Sequence, residues 1–199
     1  MHPSHSFQPT HLILGSTSPR RQALLREMGL KFECLAPNTD EDYPDHLTSY
    51  HITDYLCSSK ADSLQSNIDA STLLLCADTI VWSEGRVLEK PLDLADARRT
   101  LKALSGRSHQ VITSVCFRTR HENRVLHETT EVEFASLEAD LIDTYLQNGN
   151  PLDKAGAYGI QEWIGLVGVE RIWGSYTNVV GLPTRLVYKT LRDMVGSAI

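Results

Sequence analysis

The chain has 199 residues, 41% hydrophobic and 22% charged, with a formal net charge of -6. That length supports one good core in one or two closely packed lobes, and the acidic balance argues against a nonspecific nucleic-acid binder, which carries a basic surplus. The four cysteines, Cys34, Cys57, Cys76 and Cys116, show no Cys-x-x-Cys spacing, so neither a zinc site nor a disulfide framework is suggested, and no apolar run approaches membrane-spanning length.

Residues 1–10 hold two His and two Pro but lack the basic and apolar regions of a signal peptide. They read as a short loose tail on a cytoplasmic protein, with residues 11–199 forming a single domain of two lobes. Leu12-Ile13-Leu14 is an apolar run of strand length that ends at Gly15, and Ser16-Thr17-Ser18 follows. Pro19 then occupies a first helical position with Ser18 as N-cap, predicting a helix from Pro19 to Met28. Arg20 and Arg21 stand in its first turn, where cations oppose the helix dipole. Either an anion compensates them, held by free N–H groups, the three hydroxyls and two guanidinium forks, or both side chains lie along the surface paired with acids such as Glu27. No Gly-x-x-x-x-Gly-Lys-Ser/Thr occurs, so any phosphate grip is not a P-loop.

Lys31 to Ala36 reads as a second strand and Pro37 to Pro44 as an acidic turn containing Glu41, which is either solvated or functional. Ile52, Tyr55, Leu56 and Leu64 recur with helical period between Thr48 and Gln65, and Lys60 shares their face. Its ammonium either snorkels to water or points toward an anion. Leu73 to Trp82 is a strand signal interrupted by Asp78, a candidate metal ligand or general base unless the strand simply reaches the surface there. Ser83 to Arg86 makes a turn into a hairpin that carries Lys90.

Asp93 caps a structural helix to Leu104, ended by Ser105-Gly106. Ser108 to Arg118 and Val125 to Phe134 form the strongest antiparallel pair, joined by His121-Glu122-Asn123, and Leu137 to Leu146 is an amphipathic helix. Asn150 to Gln161 is polar and glycine-rich without a period, a place where binding groups tend to sit. Gly165 to Ile172 predicts a further strand, Trp173 to Pro183 an irregular connection, and Pro183 opens a last helix to about Val195. No repeat or linker divides the chain, and the alternation of strands and helices with an intruding hairpin predicts an α/β or α+β fold with a mixed sheet.

Eight segments, taken in order, resemble the Maf family of nucleoside triphosphate pyrophosphatases from Leu12 to Leu191. They are Ser16-Thr17-Ser18-Pro19-Arg20-Arg21, Asp40-Glu41, Lys60, Ala77-Asp78-Thr79, Lys90-Pro91, Leu104-Ser105-Gly106, Asp153 through Gln161, and Asn178-Val179-Val180-Gly181-Leu182-Pro183. The resemblance implies hydrolysis between the α and β phosphates, giving a monophosphate and pyrophosphate, with a divalent metal cation. It also implies an elongated two-lobed fold around a twisted mixed β-sheet with a central cleft, similar to the inosine triphosphate pyrophosphatases. Arg20-Arg21 after Pro19, Thr79 after Asp78 and the Gly-Ile-Gln ending at Gln161 look like the branch acting on dTTP and UTP. Cys76 and Glu162 stand where glycine is common, and Asn38 where aspartate is frequent.

On that resemblance Ser16, Arg20 and Arg21 hold the triphosphate, and Lys60 and Lys90 add positive charge. Asp78 and Glu41 hold Mg²⁺ or Mn²⁺, and Asp78 also serves as the base for the attacking water. Thr79 and Gln161 read the pyrimidine edge. The expected partners are a nucleoside triphosphate substrate and a second copy of the chain, since homodimers are common among such enzymes, with no nucleic acid and no membrane. Two other readings stay open, an inosine or xanthosine triphosphate pyrophosphatase and a nucleotide-sensing regulator of septum formation.

Overall fold

The computed structural model describes Pro9 and residues 11–196, so the tail expected over residues 1–10 lies, Pro9 apart, outside the described residues. Two compact units are built from interleaved stretches of chain. The first takes residues up to Asp78, Thr113–Glu128 and those from Gly181 onward, and the second takes Thr79–Ile112 and Thr129–Val180.

The first unit begins with β1 (His11–Gly15), which the apolar run Leu12-Ile13-Leu14 forms as expected. Ser18 caps α1 (Pro19–Glu27), its Oγ accepting from the Arg21 amide at 3.5 Å, and Pro19 supplies the preset first turn. The chain continues through β2 (Glu33–Leu35), shorter than the stretch from Lys31 to Ala36 had suggested, then α2 (Tyr50–Ser63) and β3 (Thr72–Ser83). β1 pairs in parallel with both neighbours, Gly15 facing Leu35 of β2 on one side and Cys76 of β3 on the other. Leu12, Ile13, Leu14, Leu74, Leu75, Cys76 and Ala77 are all enclosed, so successive residues on both faces are buried. That is why the sequence shows continuous apolar runs here instead of alternation. Cys57, Ala61 and Leu64 from α2 and its C-terminal flank pack with Ile13, Leu74 and Cys116 in this core.

The second unit holds the far end of β3, which turns at Glu84-Gly85 into β4 (Arg86–Leu88), Trp82 facing Val87 in antiparallel register. Next comes α3 (Leu94–Leu104), capped by Asp93, whose Oδ1 accepts from the Asp96 amide at 2.7 Å. Leu101 and Leu104 are fully enclosed, each burial worth roughly 1.5–3 kcal/mol. α4 (Ala139–Asn148), α5 (Trp163–Gly168), β7 (Val169–Trp173) and α6 (Tyr176–Val180) complete the unit, with a single 3-10 turn at Ala155–Ala157. Val81, Leu88, Phe134, Tyr145, Ile160 and Ile164 are among its core residues.

β5 (Ser108–Arg118) and β6 (Asn123–Phe134) contribute residues to both units and are joined by a turn in which Thr119 N–H donates to the Glu122 carbonyl at 2.9 Å. α7 (Thr184–Gly196) closes the described chain, opened by Pro183. The sheet is mixed, with strand order β2-β1-β3-β5-β6-β7 and β4 added to β3.

Two expectations change. The segment from Gly165 to Ile172 is half helix: α5 runs to Gly168 and only then does β7 begin, antiparallel to β6. A Cβ at Gly165 would overlap the Ile160 carbonyl, and one at Gly168 would lie 2.9 Å from Leu137 Cδ2. Glycines three apart thus put one helical face against the neighbouring backbone and side chain, while Val167, Val169 and Ile172 give the stretch its strand-like composition. The connection expected to be irregular after Trp173 contains α6, whose start is held by Ser175 Oγ accepting from the Asn178 amide at 3.2 Å. Asn178 is fully buried and donates to the Val111 carbonyl at 3.0 Å and to Thr130 Oγ1 at 2.9 Å, so it anchors the connection to β5 and β6.

Candidate active site

The first unit has the topology that makes ligand sites. From β1 the chain passes through α1 to β2 on one side, then through α2 to β3 on the other, so the carboxyl end of β1 is a point where the winding reverses. In open parallel sheets ligands bind outside such points, because the connections diverge there and leave backbone groups exposed. Ser16, the first residue after β1, lies here, and so does Asp78, two residues beyond the β3 partner of Gly15.

Ser16 is 5% exposed, and its Oγ accepts from the Ser18 amide at 3.2 Å. The Arg21 guanidinium donates from Nη1 to the same hydroxyl at 3.4 Å and from Nε to the Gly181 carbonyl at 2.9 Å. These contacts draw Arg21 inward rather than along the surface. Burial lowers its pKa from the ordinary arginine value; Asp78 opposes that shift, Arg20 adds to it, and Glu41 opposes it. Arg21 is thus in electrostatic reach of both carboxylates and of Arg20.

Lys60 lies on α2 and is 8% exposed. Its Nζ donates to Asp78 Oδ1 in a short contact and to Glu41 Oε1 at 3.4 Å. The snorkelling reading of Lys60 therefore gives way: its ammonium is enclosed among carboxylates. Asp78 is 6% exposed within a strand that continues to Ser83, so the strand does not surface at that position. Glu41, on the acidic loop, is exposed yet turned onto the same ammonium.

Ser16, Arg20, Arg21, Glu41, Lys60 and Asp78 thus belong to one unit and, through the contacts above, to one cluster. Lys90, exposed just beyond β4, half-buried Thr79 and exposed Gln161 belong to the second unit. Among the described residues no group of three or more His, Cys, Asp or Glu side chains could hold a metal. Asp78 and Glu41 are nevertheless two carboxylates converging on one cation, the protein share usual for Mg²⁺, which takes its remaining ligands from water and substrate phosphates. Hard oxygen donors of this kind fit Mg²⁺ or Mn²⁺.

The second unit holds a buried charge that composition does not announce. Lys154 is 5% exposed, and its Nζ donates to the Asn150 carbonyl, to Asp153 Oδ1 at 2.6 Å and to Glu162 Oε1 at 2.7 Å. The available signal was the spacing of one lysine between two acids in a segment without a period. Glu162 also borders a cavity of about 640 Å³ lined with Thr144, Tyr145, Asn148 and Trp163.

Residues 11–194 match the family model described as Maf-like protein. A dTTP/UTP pyrophosphatase of Flavobacterium psychrophilum is 47% identical over 182 residues, covering 92% of this chain and 93% of that protein. One from Bacteroides fragilis is 46% identical over 184 residues, covering 92% and 95%. Among solved structures, the Staphylococcus aureus Ham1 protein aligns over 96% of this chain and 100% of its own, at 13% identity and a TM-score of 0.48.

Proposed function

The chain belongs to the Maf-like protein family, and from that membership we propose that it is a nucleoside triphosphate pyrophosphatase that hydrolyses dTTP and UTP to the monophosphate and pyrophosphate. The observation that carries the reading is the enclosed Lys60 ammonium between Asp78 and Glu41, beside an inward-drawn Arg21, at the carboxyl end of β1. Phosphoryl transfer asks mainly for charge neutralisation and positioning, and this cluster offers both.

Ser16 and the α1 N-terminus, with Arg20 and Arg21, bind phosphate oxygens of the substrate. Guanidinium forks match such oxygens two at a time, and Arg21 is already oriented by Ser16 and Gly181. Asp78 orients the attacking water and takes its proton as the water oxygen bonds to the α phosphorus and the β-phosphate oxygen departs with pyrophosphate. Lys60 holds the Asp78 carboxylate in place and, with Lys90, contributes positive charge toward the triphosphate. Asp78 and Glu41 are the residues that would hold Mg²⁺ or Mn²⁺, which supplies charge neutralisation at the phosphates. Thr79 and Gln161 read the pyrimidine. The reaction draws on the cytoplasmic nucleotide pool, where it removes unwanted pyrimidine triphosphates.

Pyrophosphate release from dTTP, UTP, CTP, ITP and 7-methyl-GTP, each with Mg²⁺ and with Mn²⁺, tests this reading. We expect dTTP and UTP to turn over fastest, and Asp78→Asn to lower turnover by about 10²–10⁴-fold, the range for loss of a general base. Near-parental turnover by a folded Asp78→Asn protein would sink the role given to Asp78. Preferential hydrolysis of ITP would move the protein to another substrate class.

A further inference from the structure

The segment that ends at Gln161 has an unusual construction. It runs from Asn150 to Glu162 with one 3-10 turn, and Ala157 within it has φ 63, a left-handed conformation that alanine rarely adopts. Strain of that sort persists only where surrounding contacts fix the backbone. Lys154 ties the segment at both ends. Its ammonium is tied to the Asn150 carbonyl where the segment starts and to Glu162 Oε1 at 2.7 Å where it ends, with Asp153 Oδ1 at 2.6 Å between. The other oxygen of Glu162 accepts from Tyr145 Oη at 2.6 Å, which fastens the end of the segment to α4. Burial, together with this hydrogen bond, raises the Tyr145 pKa, keeping the phenol a donor.

Gly159 shows how Gln161 is involved. A Cβ built there would lie 2.8 Å from Lys154 Cε, 3.0 Å from Gln161 Nε2 and 3.0 Å from Glu162 Cδ. The Gln161 amide and the Lys154–Glu162 ion pair therefore lie close over the same glycine.

We infer that Glu162 is a positioning residue for base selection, its carboxylate tying the Lys154 ammonium to the Tyr145 hydroxyl and thereby holding the segment in the conformation that presents the Gln161 amide. This rests on the reading above that Gln161 contacts the pyrimidine. Glutamate does here what the smaller glycine could not: it closes the segment on itself while leaving Gly159 as the platform for the amide. Asp153 also meets the Lys154 ammonium, so what Glu162 alone contributes is the link from that ammonium to Tyr145 on α4.

The test is a double-mutant cycle on Glu162→Gln and Gln161→Ala, read as the ratio of kcat/KM for dTTP to that for CTP by pyrophosphate release. Glu162→Gln keeps shape and removes charge. Each single variant should lower the ratio about tenfold, the scale of one hydrogen bond to a base, with the loss for dTTP falling on KM rather than kcat. The double variant should fall no further than Gln161→Ala alone, because Glu162 acts through Gln161. Glu162→Asp keeps the anion and should retain most of the selectivity; it also serves as the charge-retaining variant if Glu162→Gln does not fold. A Glu162→Gln ratio equal to the parent's, or losses that add in the double variant, overturns the positioning role while leaving base reading by Gln161 intact. A parental ratio in Gln161→Ala overturns base reading by Gln161, and the positioning role with it.

Discussion

Lys60 donates to Asp78 and Glu41 from a side chain that is almost wholly enclosed, and Asp78 is enclosed with it. Removing one member of such a pair leaves the other charge without its counterpart in a poorly solvated place, which typically costs about 3–5 kcal/mol. Lys60→Met should therefore lower unfolding stability by about 3 kcal/mol in urea. The double variant Lys60→Met, Asp78→Asn should recover at least half of that loss, since neither charge then remains. Both proteins should be inactive. A Lys60→Met protein as stable as the parent would show that the ammonium is not needed to compensate Asp78. At this scale the sequence exposes anomalies and not their partners. A lysine on an apolar helix face and an aspartate inside an apolar strand are each visible as local misfits. Nothing local says that they meet, because residues 18 apart on a helix and a strand are brought together by packing. The same limit applies to Arg21: its position against the helix dipole was legible, but the Gly181 carbonyl that fixes its guanidinium lies 160 residues away.

At the scale of elements, the register of β1 against β3 sets Gly15 opposite Cys76, and this pairing is tight. A Cβ on Gly15 would overlap Cys76 Sγ and lie 2.9 Å from Leu64 Cδ1. Gly15→Ala should cost about 2 kcal/mol by overpacking, measured by chemical unfolding. Cys76→Gly should reverse sign between backgrounds, destabilising the parent because glycine weakens a strand and buries less, yet stabilising Gly15→Ala by vacating the space. If Cys76→Gly is destabilising by the same amount in both, the thiol is not what excludes a side chain at position 15. The elements themselves were largely legible. The Ser18 and Asp93 caps, the Leu12 to Gly15 run and the apolar face of α3 are local signals with local causes, and the structure has all four. α5 and β7 read as one strand because a six-residue helix is too short to show its period beside β-branched Val167, Val169 and Ile172. The switch point at the end of β1 was not legible, since strand order depends on which side each crossover takes.

For the whole molecule, the response to acid should depend on a residue outside the charge cluster. His109 is 3% exposed, its Nε2 lies 2.7 Å from Tyr158 Oη, and its Nδ1 has no hydrogen-bond partner among the described residues. The ring also packs against Phe134, with centroids 5.5 Å apart. Burial pushes the His109 pKa down from 6.5 to about 4, because the charged imidazolium would lose its hydration with no carboxylate to replace it. The unfolded chain therefore binds a proton near pH 6.5 that the folded chain refuses until about pH 4. Stability from this group is complete above pH 6.5 and is lost as pH falls toward 4, by about 3 kcal/mol in all. Other groups titrate over the same range, so the informative quantity is the stability difference between the parent and His109→Gln, which cannot titrate. That difference should shrink by about 3 kcal/mol in favour of the variant between pH 7.5 and pH 4. A difference that stays constant across the range would mean that His109 accepts its proton as readily folded as unfolded.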